Sequence, residues 1–419
     1  MRILTISNAA WDDRNSVGNT QSNWFSDWPG VEICSLYTRG AVPYNKCCHY
    51  YFQVTISDIL KHLFSREKIG RLFTNNDIQK NLIHTSSEEK IAISATGWKR
   101  SFFQKIVEIV YSSKIWFNNR IKEFIIDFNP DIVFCFAIAE PFRYSILKFV
   151  SKNTSAKIVT WIADDVYGQT YSMDFFTRWV YQRRYRTLFD ISYKVYGVSQ
   201  MLCEEYSRLY DIIIDPLYKG CSFMPCKSSV NNPIRIIYAG NLYYGRDRTL
   251  SALAAIIRQV NKDKCNIELS IYSATSVSKE VLDQLSIDGS SKLYGPRPYS
   301  EIKDLMSESD IVLHVESFDA EQIKDVRLSF STKIIDCMQS GSTIMAIGPK
   351  GIASIEYLRS IKGVIVIDDL KEIEKNVKSI IERPERLLEK AKDIQKFARI
   401  NHSSSRVRSQ LSKDLGLIG

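Results

Sequence analysis

Short apolar segments alternate with longer segments of helical periodicity along most of the chain. The apolar segments predict buried strands, because each is short and mostly uninterrupted by polar residues. In the first half they are Arg2–Ser7, Val31–Tyr37, Asp131–Ile138, Lys157–Ala163 and Tyr193–Ser199. In the second half they are Ile234–Ala239, Asn266–Tyr272, Asp310–Glu316, Thr343–Gly348 and Gly363–Ile367. Since segments of helix length separate them, the pattern predicts an α/β protein with parallel, helix-covered sheets.

The strand and helix pattern occurs twice, which suggests two domains. The chain has 419 residues, more than one hydrophobic core usually supports. Residues 222–233 (SFMPCKSSVNNP) separate the halves and are rich in Ser, Asn and Pro, as linkers often are. We predict an N-terminal domain over 1–221, a linker over 222–233, a C-terminal domain over 234–400 and a helical tail over 401–419.

One segment of the second half, LSFSTKIIDCMQSG, follows a predicted strand and contains a helix that ends at Gly341. Ser331 and Thr332 lie where this helix begins, and the free N–H groups of a helix start suit a phosphate. Lys333 and Asp336 share one helix face, so a cation for a diphosphate and a carboxylate for ribose hydroxyls would lie together. The same residues also fit a capped surface helix with a Lys–Asp pair.

Two further segments of the second half place ligand-compatible residues after predicted strands. The loop from Gly240 to Arg246 contains two glycines, which let the backbone approach a ligand closely, and an arginine suited to bidentate phosphate binding. The sequence of this loop matches neither a dinucleotide-binding motif nor a P-loop, so the prediction of phosphate binding rests on the position of the loop after a strand. Gly295 and Pro296 lie in a segment that fits either a plain turn or a position beside a nucleobase.

In the first half, polar residues also follow predicted strands. Gly18 and Asn19 end the loop after the first strand, and Asp164 and Asp165 come directly after a later one. Open α/β sheets bind ligands at the carboxyl ends of their strands, although each of these residues also fits an ordinary turn.

Composition and charge narrow the classes of protein only slightly. Hydrophobic residues make up 45% of the chain and charged residues 25%, which is ordinary for a globular protein. The net charge of +9 permits attraction to anionic lipids, nucleotides or nucleic acid, but no concentrated basic run favours nucleic acid. The first residues, MRILTISNAAWDD, do not predict a signal peptide, and no apolar run is long enough for a membrane span.

Two basic, aromatic helices are predicted over 98–111 and 116–128. Their apolar stripes either face a core or contact a membrane surface, and the pattern leaves both open. The nine cysteines are scattered without a C-x-x-C pair, which indicates buried thiols in a reducing cytoplasm. No group of His, Cys or acidic residues has the spacing of a metal site, so we expect no metal.

Several of these segments resemble the retaining GT-B glycosyltransferases that use nucleotide sugars, especially enzymes of bacterial surface-polysaccharide and lipopolysaccharide synthesis. Lys333, Asp336 and Gly341 fall on the Lys, Glu and Gly of that family's nucleotide-site pattern, P-x-K-x-x-E-Y-x-A-x-G. YAGNLYYGRDRTL is similar to its phosphate-binding loop, and LYGPRPYSEIKDLMSESDIVLHV to its base-proximal turn, helix and strand. The tail FARINHSSSRVRSQL resembles the helix pair that crosses back to the first domain.

The resemblance implies a GT-B fold of two Rossmann-like parallel-sheet domains facing a cleft, with the donor on the second and the acceptor on the first. It implies transfer from a nucleoside-diphosphate sugar, with UDP favoured, to a glycan or lipid-linked acceptor. The donor is then a substrate, and no cofactor is expected. The expected location is the cytoplasm, or the cytoplasmic face of the inner membrane.

The resemblance also assigns roles to individual residues. Arg246, Lys333 and Asp165 would be catalytic, the first two by stabilising the leaving diphosphate together with the backbone N–H groups of Ser331 and Thr332. The other donor-binding residues would be Gly240, Arg248, Gly295, Pro296 and Asp336, and the acceptor side would include Gly18, Asn19 and Asp164.

Two departures from the family's pattern keep other functions open. Leu328 stands where the family often has a first glutamate, and Arg246 or Arg248 must replace the lysine of the phosphate loop. A non-catalytic GT-B partner subunit of a transferase complex and a nucleotide-sugar epimerase of the same fold are the alternatives.

Overall fold

The computed structural model describes residues 1–65, 68–80, 82, 83, 85 and 107–416. The chain forms two compact units. The first unit comprises Met1–Leu217 and the C-terminal residues from Arg408 onward, and the second unit comprises Tyr218–Val407. Residues 222–233 therefore belong to the second unit, where Met224 N–H donates to the Gln339 carbonyl at 2.9 Å and Lys227 pairs with Asp310 at 2.5 Å.

The described residues of the first unit form a sheet of eight strands in the order β4-β3-β2-β1-β5-β6-β7-β8. All neighbours are parallel except β3 and β4. The strands are β1 Arg2–Ser7, β2 Glu32–Tyr37, β3 Tyr50–Gln53, β4 Arg71–Thr74, β5 Ile132–Phe136, β6 Lys157–Ile162, β7 Lys194–Gly197 and β8 Ile214–Pro216. The α-helices are Ser16–Phe25, Ile56–Ser65, Asn75–Gln79, Asn119–Phe128, Pro141–Asn153, Phe175–Asp190 and Gln200–Tyr210, with a 3-10 turn at Gly168–Ser172.

The described residues of the second unit form a fully parallel sheet of six strands in the order β11-β10-β9-β12-β13-β14. They are β9 Ile234–Ala239, β10 Ile267–Tyr272, β11 Ser291–Tyr294, β12 Ile311–Val315, β13 Thr343–Ile347 and β14 Ile365–Ile367. The α-helices are Arg246–Val260, Lys279–Leu285, Tyr299–Glu308, Ala320–Val326, Lys333–Gln339, Ala353–Arg359, Ile373–Glu382 and Arg386–His402, with a 3-10 turn at Leu370–Glu372. A last helix, Ser404–Leu415, begins in the second unit and ends in the first.

The central strands are continuous apolar runs because both faces of each sheet are covered by helices. All five residues of β5, of β12 and of β13 are buried. In the second unit, helix Arg246–Val260 packs on β10, β11 and β12, and Leu250, Leu253 and Ile257 of its apolar stripe are fully buried.

Each predicted strand is present, to within two residues at either end. Four strands were not predicted, namely β3, β4, β8 and β11, which have three or four residues each. The second predicted basic helix begins at Asn119 rather than Trp116. Of the first, residues 98–106 lie outside the described part of the chain.

All nine cysteines lie within the described ranges and carry free thiols. Seven are buried, and burial raises the pKa of the thiols, for example to about 11 at Cys135 and about 12 at Cys337. These thiols are therefore protonated and pack as small apolar groups. None of the helices in the described ranges is long and apolar enough to cross a bilayer.

Candidate functional site

The second sheet has a topological switch point between β9 and β12. The chain continues from β9 to β10 on one side, whereas β12 lies on the other side of β9. Ligands of open parallel sheets bind in the crevice at the carboxyl ends of such a strand pair. Gly240 follows β9 and Glu316 follows β12, so both residues lie at this crevice.

Arg246 is held firmly at the switch point. It opens a helix directly after Gly245, whose φ of 70° is left-handed, and an added Cβ there would lie 2.5 Å from Ser317 Oγ. The Arg246 guanidinium donates to both carboxylate oxygens of Glu316 at 3.0–3.2 Å and to Asn241 Oδ1 at 2.7 Å. The position of this arginine is thus fixed before any ligand binds.

The carboxylate of Glu316 is buried but stays charged. Burial alone would raise its pKa, but the neighbouring His314 and Arg246 outweigh this effect, so the pKa of Glu316 lies below its usual value. The charges of Arg246 and Glu316 cancel to a first approximation, which leaves the charge of the crevice to its other residues.

Lys333 supplies a second cation at the same crevice. An added Cβ on Gly240 would lie 3.1 Å from Lys333 Nζ and 2.6 Å from the Tyr238 hydroxyl, so the ammonium group packs against the Gly240 backbone. Burial and then the charge of Arg246 lower the pKa of Lys333. Across the part of the chain that the structure describes, the ammonium group has no hydrogen bond or ion pair, in contrast to Arg246.

Asp336 lies one helical turn after Lys333 and is engaged by two side chains. Its Oδ1 accepts hydrogen bonds from Lys219 Nζ at 2.7 Å and from the Tyr299 hydroxyl at 2.8 Å. The side chains of Lys219 and Asp336 are 8% and 14% exposed, so this ion pair is largely shielded from water. The sequence analysis missed this pair, and nothing in the local pattern indicates it.

Two stacked tyrosines form a wall beside the crevice. Tyr272 ends β10 and Tyr294 ends β11, with ring centroids 4.8 Å apart and ring planes 12° from parallel. The Tyr272 carbonyl accepts from Gly240 N–H at 3.0 Å, which links this wall to the phosphate-compatible loop. Gly295 and Pro296 follow and are exposed, and the segment then leads to Tyr299 and its hydrogen bond with Asp336.

Three other predicted donor-binding residues differ in placement. Ser331 and Thr332 are half-buried and directly precede helix Lys333–Gln339, which has only seven residues and therefore a weak dipole. The side chain of Arg248 is 73% exposed and pairs with Asp319 at 2.9 Å on the surface. Arg246, Lys333, Asp336 and Gly240 thus gather at the crevice, whereas the Arg248 guanidinium is directed to solvent.

The other predicted residues belong to the first unit. Asp165 Oδ1 accepts from Gly168 N–H at 2.8 Å and from the Tyr206 hydroxyl at 2.7 Å, so this carboxylate anchors the turn after β6, in which Asp164 also lies. Gly18 and Asn19 do not end a loop as predicted but lie in helix Ser16–Phe25, which begins earlier because the Asn15 side chain caps it by accepting from Gly18 N–H. An added Cβ on Gly18 would be 2.1 Å from the Asp12 carbonyl oxygen. Asn19 N–H donates to the Asn15 carbonyl in the first turn of the same helix.

The switch point of the first sheet, between β1 and β5, carries a polar cluster that the sequence analysis missed. Asn8 follows β1, donates to Glu140 Oε1 at 3.0 Å and accepts from Arg143 Nη2 at 2.9 Å. Arg143 is 1% exposed, a rare position for a charged side chain. Within the described ranges, no group of three or more His, Cys, Asp or Glu residues is placed to hold a metal ion.

Together the two Rossmann-like α/β units define the GT-B fold class, so the fold class predicted from the sequence is confirmed. No protein-family model and no curated protein sequence matches the chain.

Solved structures match it in fold. HepE of Anabaena in complex with UDP aligns over 100% of both chains, with a TM-score of 0.62 and 13% identity. The E. coli trehalose-6-phosphate structure bound with UDP-2-fluoro glucose aligns over 100% of both chains, with a TM-score of 0.58 and 9% identity. TarM of S. aureus, in complex with fondaparinux, alpha-GlcNAc-glycerol and UDP, has a TM-score of 0.51 and 10% identity over 70% of this chain and 57% of TarM. At such identities the likeness carries the fold and not the activity.

Proposed function

We propose that this chain is a glycosyltransferase that moves a sugar from a nucleoside-diphosphate sugar to a glycan or lipid-linked acceptor, with retention of configuration. We assign it to bacterial surface-polysaccharide synthesis, in the cytoplasm or at the cytoplasmic face of the inner membrane. The donor is the substrate, and the proposal needs neither a cofactor nor a metal held by the protein.

One observation carries the proposal: Lys333 lies beside Arg246 at the switch point, and no described carboxylate pairs with it. Because Glu316 neutralises Arg246 to a first approximation, Lys333 is left as a cation of the crevice without an ion pair among the described residues, and burial makes its attraction to an anion stronger than in water. A bound diphosphate would balance this charge and would raise the pKa of the lysine again. The crevice is thus electrostatically suited to a nucleoside diphosphate.

In this proposal the leaving diphosphate is the catalytic centre, because its negative charge grows as the glycosidic bond breaks. The Lys333 ammonium group stabilises that negative charge. Arg246, held by Glu316 and Asn241, adds a cation in a fixed position. Groups held in place before the reaction stabilise developing charge without reorganising. The backbone N–H groups of Ser331 and Thr332 contribute further donors.

UDP is the favoured nucleotide. Structures of the same fold from three organisms hold UDP or a UDP-sugar, and HepE also binds UDP-glucose. We place the ribose at Asp336, whose second oxygen, Oδ2, accepts none of the hydrogen bonds from Lys219 and Tyr299. The base then lies beside Gly295 and Pro296, near the stacked Tyr272 and Tyr294.

The acceptor is proposed to bind the first unit, with Gly18 and Asn19 in the first turn of the helix that follows the β1 loop and Asp164 near the end of β6. Asp165 orients the acceptor or the donor sugar in this scheme. Its bonds to Gly168 and Tyr206 make it a rigid part of that strand end.

Calorimetric titration with UDP, GDP, ADP and CMP tests the donor site. We expect micromolar affinity for UDP, reduced at least about tenfold in Lys333→Ala because one charge-assisted contact to the diphosphate is lost. Lys362→Ala is the matched control, since Lys362 is a solvent-exposed cation of the same unit. Loss of affinity in both variants, or in neither, would remove Lys333 from the phosphate role.

A non-catalytic GT-B partner subunit is the second candidate, and Leu328 favours it. This residue stands at the position of the first glutamate of the family that the sequence resembles, and it is 1% exposed. A buried apolar side chain therefore packs where members of that family often have a carboxylate. A partner subunit would turn over no donor with any acceptor and would co-purify with a transferase. Sugar release from UDP-glucose by the isolated chain, abolished in Lys333→Ala, would exclude this alternative.

A further inference from the structure

Four large aromatic side chains are exposed close together on the first unit. Tyr171, Phe175, Phe176 and Trp179 are 58%, 83%, 69% and 50% exposed, and we call them the aromatic patch. Single exposed apolar residues are common on protein surfaces, but a contiguous group of large ones marks an interaction site.

Helix Phe175–Asp190 carries three of the four patch residues, and all three are exposed to solvent. Phe175, Phe176 and Trp179 fall on one side of helix Phe175–Asp190, since residues three and four apart share a helix face. The buried residues of this helix, Tyr185, Leu188 and Phe189, all lie in its C-terminal half, beyond the patch. Other residues of this helix therefore pack in the core of the first unit, and the patch residues take no part in that packing.

Arginines accompany the patch. The Arg178 guanidinium lies 5.1 Å from the ring centroid of Tyr171, and that of Arg183 lies 5.4 Å from the ring of Trp179. Arg183 is exposed, whereas Arg178 also donates to the backbone carbonyl of Tyr171 and Arg186 donates to that of Tyr210. Between residues 171 and 187 there are four arginines and one acidic residue, Asp174, which caps the helix by accepting from Thr177 N–H. The segment that carries the patch thus has more positive than negative side chains.

We propose that the aromatic patch docks on an anionic lipid surface, with its rings at the boundary between headgroups and acyl chains and its arginines on lipid phosphates. Aromatic side chains favour this boundary because they are apolar with polar edges. Each nearby arginine adds attraction to an anionic leaflet. A protein partner would satisfy the aromatic rings equally well, but the excess of arginines over acidic residues matches a uniformly anionic surface.

The position of the patch in the first unit suits a lipid-linked acceptor. Tyr171 belongs to the 3-10 turn Gly168–Ser172, which Asp165 anchors at the end of β6 through Gly168 N–H. A bilayer bound at the patch would hold acceptor headgroups near that strand end. Only this last consequence rests on the proposed transferase function, because docking itself requires no catalysis.

Vesicle co-sedimentation tests the docking surface. We expect the whole chain to bind phosphatidylcholine vesicles that contain about a third phosphatidylglycerol, and to bind pure phosphatidylcholine weakly. The double variant Phe175→Ser/Phe176→Ser should partition at least about tenfold less onto the anionic vesicles, because two large apolar side chains are lost. Arg183→Gln should bind less tightly and show a weaker salt dependence. Ile213→Ser is the matched control, since Ile213 is 81% exposed in the same unit but outside the patch.

Trp179 provides a second readout. Five other tryptophans are buried, namely Trp11, Trp24, Trp28, Trp116 and Trp161. The fluorescence of Trp179 is obtained by subtracting the emission spectrum of Trp179→Phe from that of the wild-type chain. This fluorescence should shift to shorter wavelength when anionic vesicles are added, and iodide should quench it only when the vesicles are absent.

Two outcomes would overturn the proposal. One is equal vesicle binding by the wild-type chain and the double variant, and the other is a Trp179 already shielded from iodide without lipid, which would show that protein covers the patch. UDP titration of the double variant separates this proposal from the transferase function, since nucleotide affinity should be unchanged.

Discussion

Asp336 and Lys219 form a shielded ion pair in which Lys219 Nζ lies 2.7 Å from Asp336 Oδ1, although 117 positions separate them. The pair ties the first residues of the second unit to the helix that carries Lys333. Asp336 therefore has a structural task in addition to the ribose contact that we propose for it.

We predict that Asp336→Ala lowers the free energy of unfolding by about 2–3 kcal/mol, because it leaves the Lys219 charge shielded and unpaired. Urea denaturation followed by circular dichroism measures this loss. Asp393→Ala is the control, since its pair with Lys362 is open to solvent and should contribute less than about 1 kcal/mol.

The structural and ribose roles of Asp336 can be separated by removing both charges. In Lys219→Met/Asp336→Leu the free energy of unfolding should recover most of the loss, since no unpaired charge is left. UDP affinity should stay low. Full recovery of UDP binding in this double variant would show that Asp336 does not contact the nucleotide.

Lys333 should also govern the pH dependence of nucleotide binding. Burial and the charge of Arg246 lower its pKa, so the free lysine loses its proton at a lower pH than an exposed one. A bound diphosphate stabilises the protonated form, so UDP affinity should fall as pH rises into the alkaline range. This fall should vanish in Lys333→Ala, and an identical pH profile in that variant would contradict the assignment.

Gly341 is predicted to be intolerant of a side chain. Its φ is 78°, and an added Cβ would lie 2.5 Å from the Pro225 carbonyl oxygen, part of a backbone that cannot easily move. Gly351 has a similar φ of 84°, but nothing lies within 4 Å of its added Cβ. Gly351→Ala should cost about 1 kcal/mol for the left-handed backbone, and Gly341→Ala about 2 kcal/mol more. Thermal unfolding of the two variants measures the difference.

His402 should make the protein less stable in mild acid. It is fully buried beside Tyr357, and burial lowers its pKa from 6.5 to about 4. Between these two values the unfolded chain binds more protons than the folded one, so the free energy of unfolding falls as pH drops from 6.5 towards 4. The contribution is about 2–3 kcal/mol. Denaturation curves at pH 7 and pH 4.5 should show a smaller loss for His402→Gln, which keeps a polar partner for Tyr357.

The strands that the sequence predicted well are those whose central residues are mostly buried. β1 and β9 end where they were predicted to end, because the polar residue Asn8 follows β1 and Gly240 follows β9. β4 and β11 were missed because they lie at the edges of their sheets, where only one residue of each strand is buried and the apolar run is broken. Local patterns report burial, and edge strands have little of it.

The candidate site was predictable only where its residues follow strands. Gly240 and Lys333 were assigned to one crevice because carboxyl ends of parallel strands meet at one sheet edge. The partner of Arg246 could not be predicted, since Glu316 lies 70 positions away and its acidic side chain fits an ordinary loop equally well. The burial of Cys337 beside Lys333 could not be predicted either, because it follows from packing and not from any sequence motif.

The division of the chain has a consequence for its biosynthesis. The first unit uses residues from both ends of the described chain: Asp414 accepts from the Tyr196 hydroxyl at 2.8 Å, and Arg408 pairs with Asp27 at 3.1 Å. A ribosome releases these late residues only after it has made the whole second unit, so the unit that begins first must be completed last. During translation the surface around β7 therefore stays exposed until the helix that contains Asp414 has been made, and chaperones could bind that surface in the meantime.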